Sequence, residues 1–210
     1  MNIFGQVGPV GPIATGANVI VRQGNLGEVS VSELQGKYYE QAFRGNSFYC
    51  CNSAAQALSL TGTTTYTGLV LYNNIGSGKN LAIKTAIFTP TIAETGVGGV
   101  LLFSQAIAAS IPTLTTTNVA NGAVSTLLNG NASTVAKVAS SCTLAANPIF
   151  LRPLFSTQFG TAVGLNTLAY KDDIAGELIV PPGAGIGFCG ITTAITGIGY
   201  ISWDEVSTIL

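Results

Sequence analysis

Two carboxylate pairs, Asp172/Asp173 and Asp204/Glu205, are the first places to look for chemistry, since acid–base catalysis and hard-cation binding both use clustered carboxylates. Adjacent residues on a strand face opposite sides, so neither pair converges by itself. Neither has a third ligand nearby in sequence, although oxygen ligands for calcium can come from distant segments. The sequence reads Asp172/Asp173 as a solvated loop and Asp204/Glu205 as the end of a strand.

Gly76-Ser77-Gly78-Lys79-Asn80 resembles the end of a phosphate-binding loop. That motif needs a glycine five residues before Gly78, Ser or Thr after the lysine, and a helix next. Here Asn73 and Asn80 occupy those positions and a strand follows, so a tight turn between antiparallel strands accounts for the segment. The four cysteines, Cys50, Cys51, Cys142 and Cys189, form no CxxC pair, and the chain has no histidine. This argues against structural zinc and excludes Ser-His and Cys-His nucleophiles. The cysteines read as small buried residues in a reducing compartment, with one disulfide left open. A Ser-Lys pair remains formally open, but no serine or lysine is singled out. The expectation is therefore no catalytic residues, no metal and no cofactor.

The composition leads the same way. Of 210 residues, 47% are hydrophobic and 8% charged, with 8 Lys+Arg against 9 Asp+Glu and a net charge of −1. The basic residues are dispersed, which argues against nucleic-acid binding. No run of about 18 apolar residues suggests a membrane span, and the N-terminus lacks the basic and apolar regions of a secretory leader. An apolar, weakly charged chain of this size points to burial against other subunits.

The elements must be largely β. Residues 1–35 contain two Gly-Pro steps and two short β-like runs, one holding Val19, Ile20 and Val21, the other Val29 and Val31. The segment reads as either a loose tail or an extended arm that adds a strand to a neighbouring subunit. From residue 36 to 51 the pattern is aromatic and β-like, with a turn or bulge at Gly45-Asn46. Strands are expected over 66–72, 80–88, 99–109, 174–180, 186–192 and 199–206. Within 80–88, Leu81, Ile83, Thr85 and Ile87 would share one face, and Ala82, Lys84, Ala86 and Phe88 the other. In the last strand Ile201, Trp203 and Glu205 share a face. The Thr/Ser/Asn-rich stretch 111–146 is an elaborated insert, with a weak helix signal over 132–141 and a role open to intersubunit contact. Short strands with frequent turns indicate a β-sandwich or barrel, and a jelly roll suits the length. Tyr38, Tyr39 and Trp203 join the five arm residues as candidate interface anchors, with a carbohydrate platform as the alternative use of the aromatics.

Four segments taken in order, GKYYEQAFRGNSFYCCN (36–52), TGLVLYNNIGSGKNLAI (67–83), AGELIVPPGAGIGF (175–188) and ISWDEV (201–206), resemble a group of tailed-bacteriophage virion structural proteins. The resemblance covers about residues 20–90 and 170–206 and leaves the insert out. It implies an all-β, jelly-roll-like β-sandwich over 36–210 with an extended N-terminal arm over 1–35, similar to trimeric capsid cement or decoration proteins. The implied partners are the chain itself, as a homotrimer, and the major capsid protein. The implied location is the capsid exterior, after assembly in the host cytoplasm. A receptor-binding spike, head fibre or tail-tip protein with the same fold is the alternative, and host glycans would be its partners. A single jelly-roll capsid protein is a further one. An enzyme of the depolymerase kind, using the carboxylates above, is the reading from another class.

Overall fold

The structure, a computed structural model, describes residues 37–60, 64–91, 96–106, 115–119, 122–128, 133–159 and 169–208. The chain divides into two units, 1–40 and 41–210. Of the first, the described residues form a turn leading into a helix, with Lys37 Nζ 5.2 Å from the centroid of the Tyr38 ring. The expected arm, with Val19, Ile20, Val21, Val29 and Val31, lies outside the described residues, as does the boundary at residue 35.

The expectation for 36–51 is corrected in its first half. Tyr39–Phe43 is a short helix, α1, and only Ser47–Cys51 is a strand, β1. Gly45 ends the helix. It takes a positive φ of 74°, its N–H donates to Ala42 O, and the Asn46 N–H reaches back to Gln41 O, both at 3.0 Å. This pairing of carbonyls is the Schellman cap, which glycine supplies without steric cost. The Gly-Asn signal was therefore a helix stop followed by a strand start.

The remaining strands are β2 (Gln56–Ala57), β3 (Thr65–Asn73), β4 (Lys79–Pro90), β5 (Gly96–Ala106), β6 (Ala123–Ser125), β7 (Ala136–Thr143), β8 (Ile149–Phe159), β9 (Tyr170–Asp173), β10 (Ile179–Val180), β11 (Ala184–Gly190) and β12 (Thr196–Ser207). They make an all-β sandwich of two antiparallel sheets. One sheet runs β10-β4-β12-β1-β6, with β9 on the same edge of β4 as β10 and β2 beside β12. The other runs β7-β3-β11-β5-β8. Expected strands over 66–72, 80–88, 99–109, 186–192 and 199–206 all have counterparts.

Of the expected strand over 174–180 only Ile179–Val180, β10, is a strand, because Ala175 (φ 54°) and Gly176 (φ 92°) turn the chain between β9 and β10. Asp172 and Asp173 accordingly sit on β9 rather than in a loop. The helix signal over 132–141 gives way to β7, whose Ser and Thr content favours a strand. β6 and β7 both come from the insert and extend one sheet each, β6 beside β1 and β7 beside β3.

Between the sheets lies the main core, including Phe48, Leu71, Leu81, Ile83, Phe88, Leu102, Ile186, Phe188, Ile201 and Trp203. Each fully buried large side chain is worth about 1.5–3 kcal/mol relative to exposure. β12 keeps Ile201, Trp203 and Glu205 in one buried phase, as expected, with Ser202 buried as well. β4 does not keep one phase. Its register against β12 slips between Ser202 and Trp203, so Thr85 faces Ser202 and Ile83 faces Trp203. The extra residue, Lys84, is a β-bulge that reverses the side-chain phase. Leu81 and Ile83 face the core before it, and Ala86 and Phe88 after it. The expected partition of 80–88 into two uniform faces is thus corrected. The bulged backbone is held by the turn after β9, where the Ala175 and Gly176 amides donate to Lys84 O (2.9 Å) and Ile83 O (2.7 Å).

A second buried cluster lies on the outer face of the β7-β3-β11-β5-β8 sheet, with Tyr66, Val70, Tyr72, Leu101, Phe103, Cys142, Leu144 and Cys189. β3 reaches it by breaking its register with β7 between Thr67 and Val70, at Gly68 (φ 133°). Tyr66 then packs on Phe103 with centroids 4.8 Å apart. Its hydroxyl is shared between the carbonyls of Phe188 (2.6 Å) and Leu69 (3.1 Å). Gly68 has to be glycine, since a Cβ there would sit 2.4 Å from Tyr66 Oη.

Candidate functional site

The residues with chemical potential gather where β12 ends and β1 begins. Lys84, projected by its bulge, places Nζ 2.7 Å from Asp204 Oδ1 and within hydrogen-bond contact of Ser47 Oγ. Asp204 and Ser47 are cross-strand partners, so the lysine spans three strands. Both members of the ion pair are largely buried, with side-chain exposures of 8% and 15%.

This is the Ser-Lys contact that the sequence left formally open, and its geometry does not suit nucleophilic catalysis. A general base must be free to accept the serine proton, whereas Lys84 donates to a carboxylate as well as to Ser47. Ser47 is fully buried, which leaves no approach for a substrate. This contact is not legible in the sequence, because it depends on a bulge that shifts Lys84 out of alternation.

On the other face of β12, Glu205 is the most enclosed carboxylate among the described residues, its side chain fully buried. Oε2 accepts from Lys79 Nζ at 2.8 Å, and Oε1 accepts from Thr134 Oγ1 at 2.5 Å and the Val135 amide at 2.9 Å. The Asp204/Glu205 pair therefore diverges, as strand geometry requires, and each carboxylate has its own lysine. Glu205 also ties the insert to the sandwich just before β7. Asn73, read from sequence as a turn residue, is buried beside it in the fold and donates to Lys79 O (2.7 Å) and Val180 O (2.9 Å).

Asp172 is engaged across the sandwich. Arg152 on β8 lies 3.4 Å from Asp172 Oδ2 and 2.5 Å from Glu177 Oε2, joining the two sheets at one side. The hydrogen bond that Arg152 donates to Glu177 is the main cause that holds the guanidinium above its ordinary value. Beside it Phe155 stacks on Tyr170 at 3.9 Å. Among the described residues, no three Cys, Asp or Glu side chains come together as a metal-ligand set, and no helix is long and apolar enough to cross a membrane.

Comparison with protein-family models, curated proteins and solved structures returns no match. The reading of this chain therefore rests on its own residues.

The candidate interface residues separate. Tyr39 is 49% exposed at the start of α1, and Tyr38 is partly buried. Trp203 is a correction. It is fully buried and stacks on Phe48 at 6.1 Å, because it occupies the inward phase of β12. It anchors the core and offers nothing to a partner or a sugar. All four cysteines are free thiols, and burial pushes Cys142 up to about 12 and Cys189 to about 11. Thiols held protonated in this way are poor nucleophiles.

Proposed function

We propose that this chain is a structural protein of a tailed-bacteriophage particle, a cement or decoration protein that binds the capsid exterior as a homotrimer and bridges neighbouring capsomers. The observation that carries the reading is that the ionisable side chains best placed for chemistry are spent inside the fold. Lys79, Lys84 and Arg152 pair with Glu205, Asp204 and Asp172/Glu177 across strands. A rigid sheet structure whose buried charges, Lys84, Asp204 and Glu205, are paired within the chain suits mechanical work better than turnover.

The strand order supports a jelly-roll reading. With the insert strands β6 and β7 and the short β2 set aside, one sheet reads β1-β12-β4 with β9 and β10 at the edge, and the other β3-β11-β5-β8. With β9 and β10 taken as one edge, consecutive strands change sheet at each step except β5 and β8, which pair as neighbours, an order that supports two interlocked Greek keys of the jelly-roll kind. The resemblance of 36–52, 67–83, 175–188 and 201–206 to phage virion proteins supplies the biological setting.

In this role the protein adds binding free energy that must be lost before capsomers separate. An extended segment over 1–35 would add tethered contacts, which gain through effective concentration. The test is to add the purified chain to shells that lack it. Saturable binding in multiples of three with increased heat resistance is expected, and both decline when 1–35 is deleted. Absence of binding, or binding to host glycans instead, contradicts the cement reading and favours the spike.

A further inference from the structure

The large apolar side chains that remain exposed are not scattered. Among the described residues of the unit beginning at residue 41, every one except Leu60 lies toward a single end of the sandwich, where β3 turns into β4, β10 into β11, and β12 stops. Phe43 leads into β1 there, Ile75 lies in the β3–β4 turn, and Val206 is next to the end of β12. Leu128 follows Thr126, whose amide donates to Ser47 O at 2.9 Å. Ile149 and Phe150 open β8 against Ser104 and Phe103. Exposures of these six run from 50% for Phe150 and Val206 to 74% for Leu128, while Leu60 is 38% exposed.

Side chains of this size and exposure present on the order of 800 Å², which is one partner's share of a standard interface. Isolated exposed apolar residues need no explanation, but a concentration of this extent marks an interaction surface. The ion pairs Lys79–Glu205 and Lys84–Asp204 lie at the same end and are already complete within the chain. A partner there needs no complementary charge, only a matching apolar face. Arg44 and Lys137, both exposed, suit the polar rim of such a contact.

We propose that this end of the sandwich is where copies of the chain associate, apolar end against apolar end. A second copy supplies the matching surface without any further requirement. The inference rests on the structural-protein reading above and names the surface that reading leaves open.

The test is sedimentation of the full chain and three variants, Ile75→Asp, Leu128→Asp and Leu60→Asp, with urea midpoints measured alongside. Wild type should self-associate, the first two should weaken association about tenfold or more, and Leu60→Asp should leave it unchanged. Equal midpoints, measured at a dilution where wild type is monomeric, show that the variants are folded. An oligomer indifferent to Ile75 and Leu128, or equally weakened at Leu60, overturns this surface and spares the proposed function. A monomeric wild type overturns this surface and the homotrimer together.

Discussion

Lys84 Nζ lies 2.7 Å from Asp204 Oδ1 because β4 carries one residue more than β12 at that point. The bulge takes Lys84 out of the core-facing phase and directs its ammonium along the sheet toward β1. Breaking a buried pair from one side leaves the other charge uncompensated. Lys84→Ala, which leaves the Asp204 carboxylate behind, should therefore cost about 3–5 kcal/mol in urea unfolding, and the double variant Lys84→Met/Asp204→Leu should recover most of that loss. A cost below about 1 kcal/mol would place the pair among solvated surface bridges.

Glu205 makes a different prediction, because it connects separate segments. Glu205→Ala removes the acceptor for Thr134, Val135 and Lys79, whereas Glu205→Gln keeps an acceptor and loses only the charge. Hydrogen exchange at the Val135 amide should accelerate strongly in the alanine variant and less in the glutamine variant. Equal exchange in all three proteins would show that the insert is held elsewhere.

The glycines separate strain from space. Gly76 has a φ of 76° and nothing within 4 Å of a built Cβ, so Gly76→Ala should cost about 1–2 kcal/mol for the backbone alone. Gly68 combines φ 133° with a Cβ position 2.4 Å from Tyr66 Oη and 2.8 Å from Leu58 Cδ2. Gly68→Ala should cost about 3 kcal/mol or more, since overpacking adds to the strain. Thermal or urea midpoints of the two variants check the order, and a smaller loss at Gly68 would contradict the corner drawn there.

The thiols set an alkaline limit. Burial raises Cys142 to about 12 and Cys189 to about 11, from an ordinary 9.0, and also raises Cys50. A folded state that holds these protons more tightly keeps their full contribution below pH 9. It loses that contribution as pH rises through the folded values, because the unfolded chain ionises first. Unfolding midpoints should be level near neutrality and fall above about pH 9, and substitution of Cys142 and Cys189 by Ala should flatten the fall. In the native state at pH 8, Cys50, Cys142 and Cys189 should resist a disulfide reagent that reacts fully in denaturant. Rapid native labelling of all four thiols would contradict their burial.

Much of the fold was legible because the strands carry their own period. Most of β12, 199–206 of Thr196–Ser207, could be read directly, and its inward Trp203 and Glu205 follow from alternation alone. β3, β5 and β11 were visible as apolar runs between Gly, Pro and Asn turns. What escaped was non-local. The Lys84 bulge depends on pairing with Ser202 and Trp203, and nothing in NLAIKTAIF announces it. The helix at 39–43 was hidden by aromatic residues that suit strands equally well, and its stop signal, Gly45, serves both. The division between β9 and β10 depends on Ala175 at positive φ, which an alanine does not advertise. Trp203 was given to an interface because large aromatics serve cores and interfaces alike, and only the packing of the second sheet decides between them. The Ser47–Lys84 contact was out of reach for the same reason as the bulge that creates it.

The most direct test is electron-microscopic imaging of intact particles that contain this chain, at a resolution sufficient to locate and count it. The account predicts sandwich-shaped density on the outside of the shell, grouped in threes at capsomer junctions and repeated over the whole surface. Density confined to the tail tip, or found only inside the particle, would contradict it.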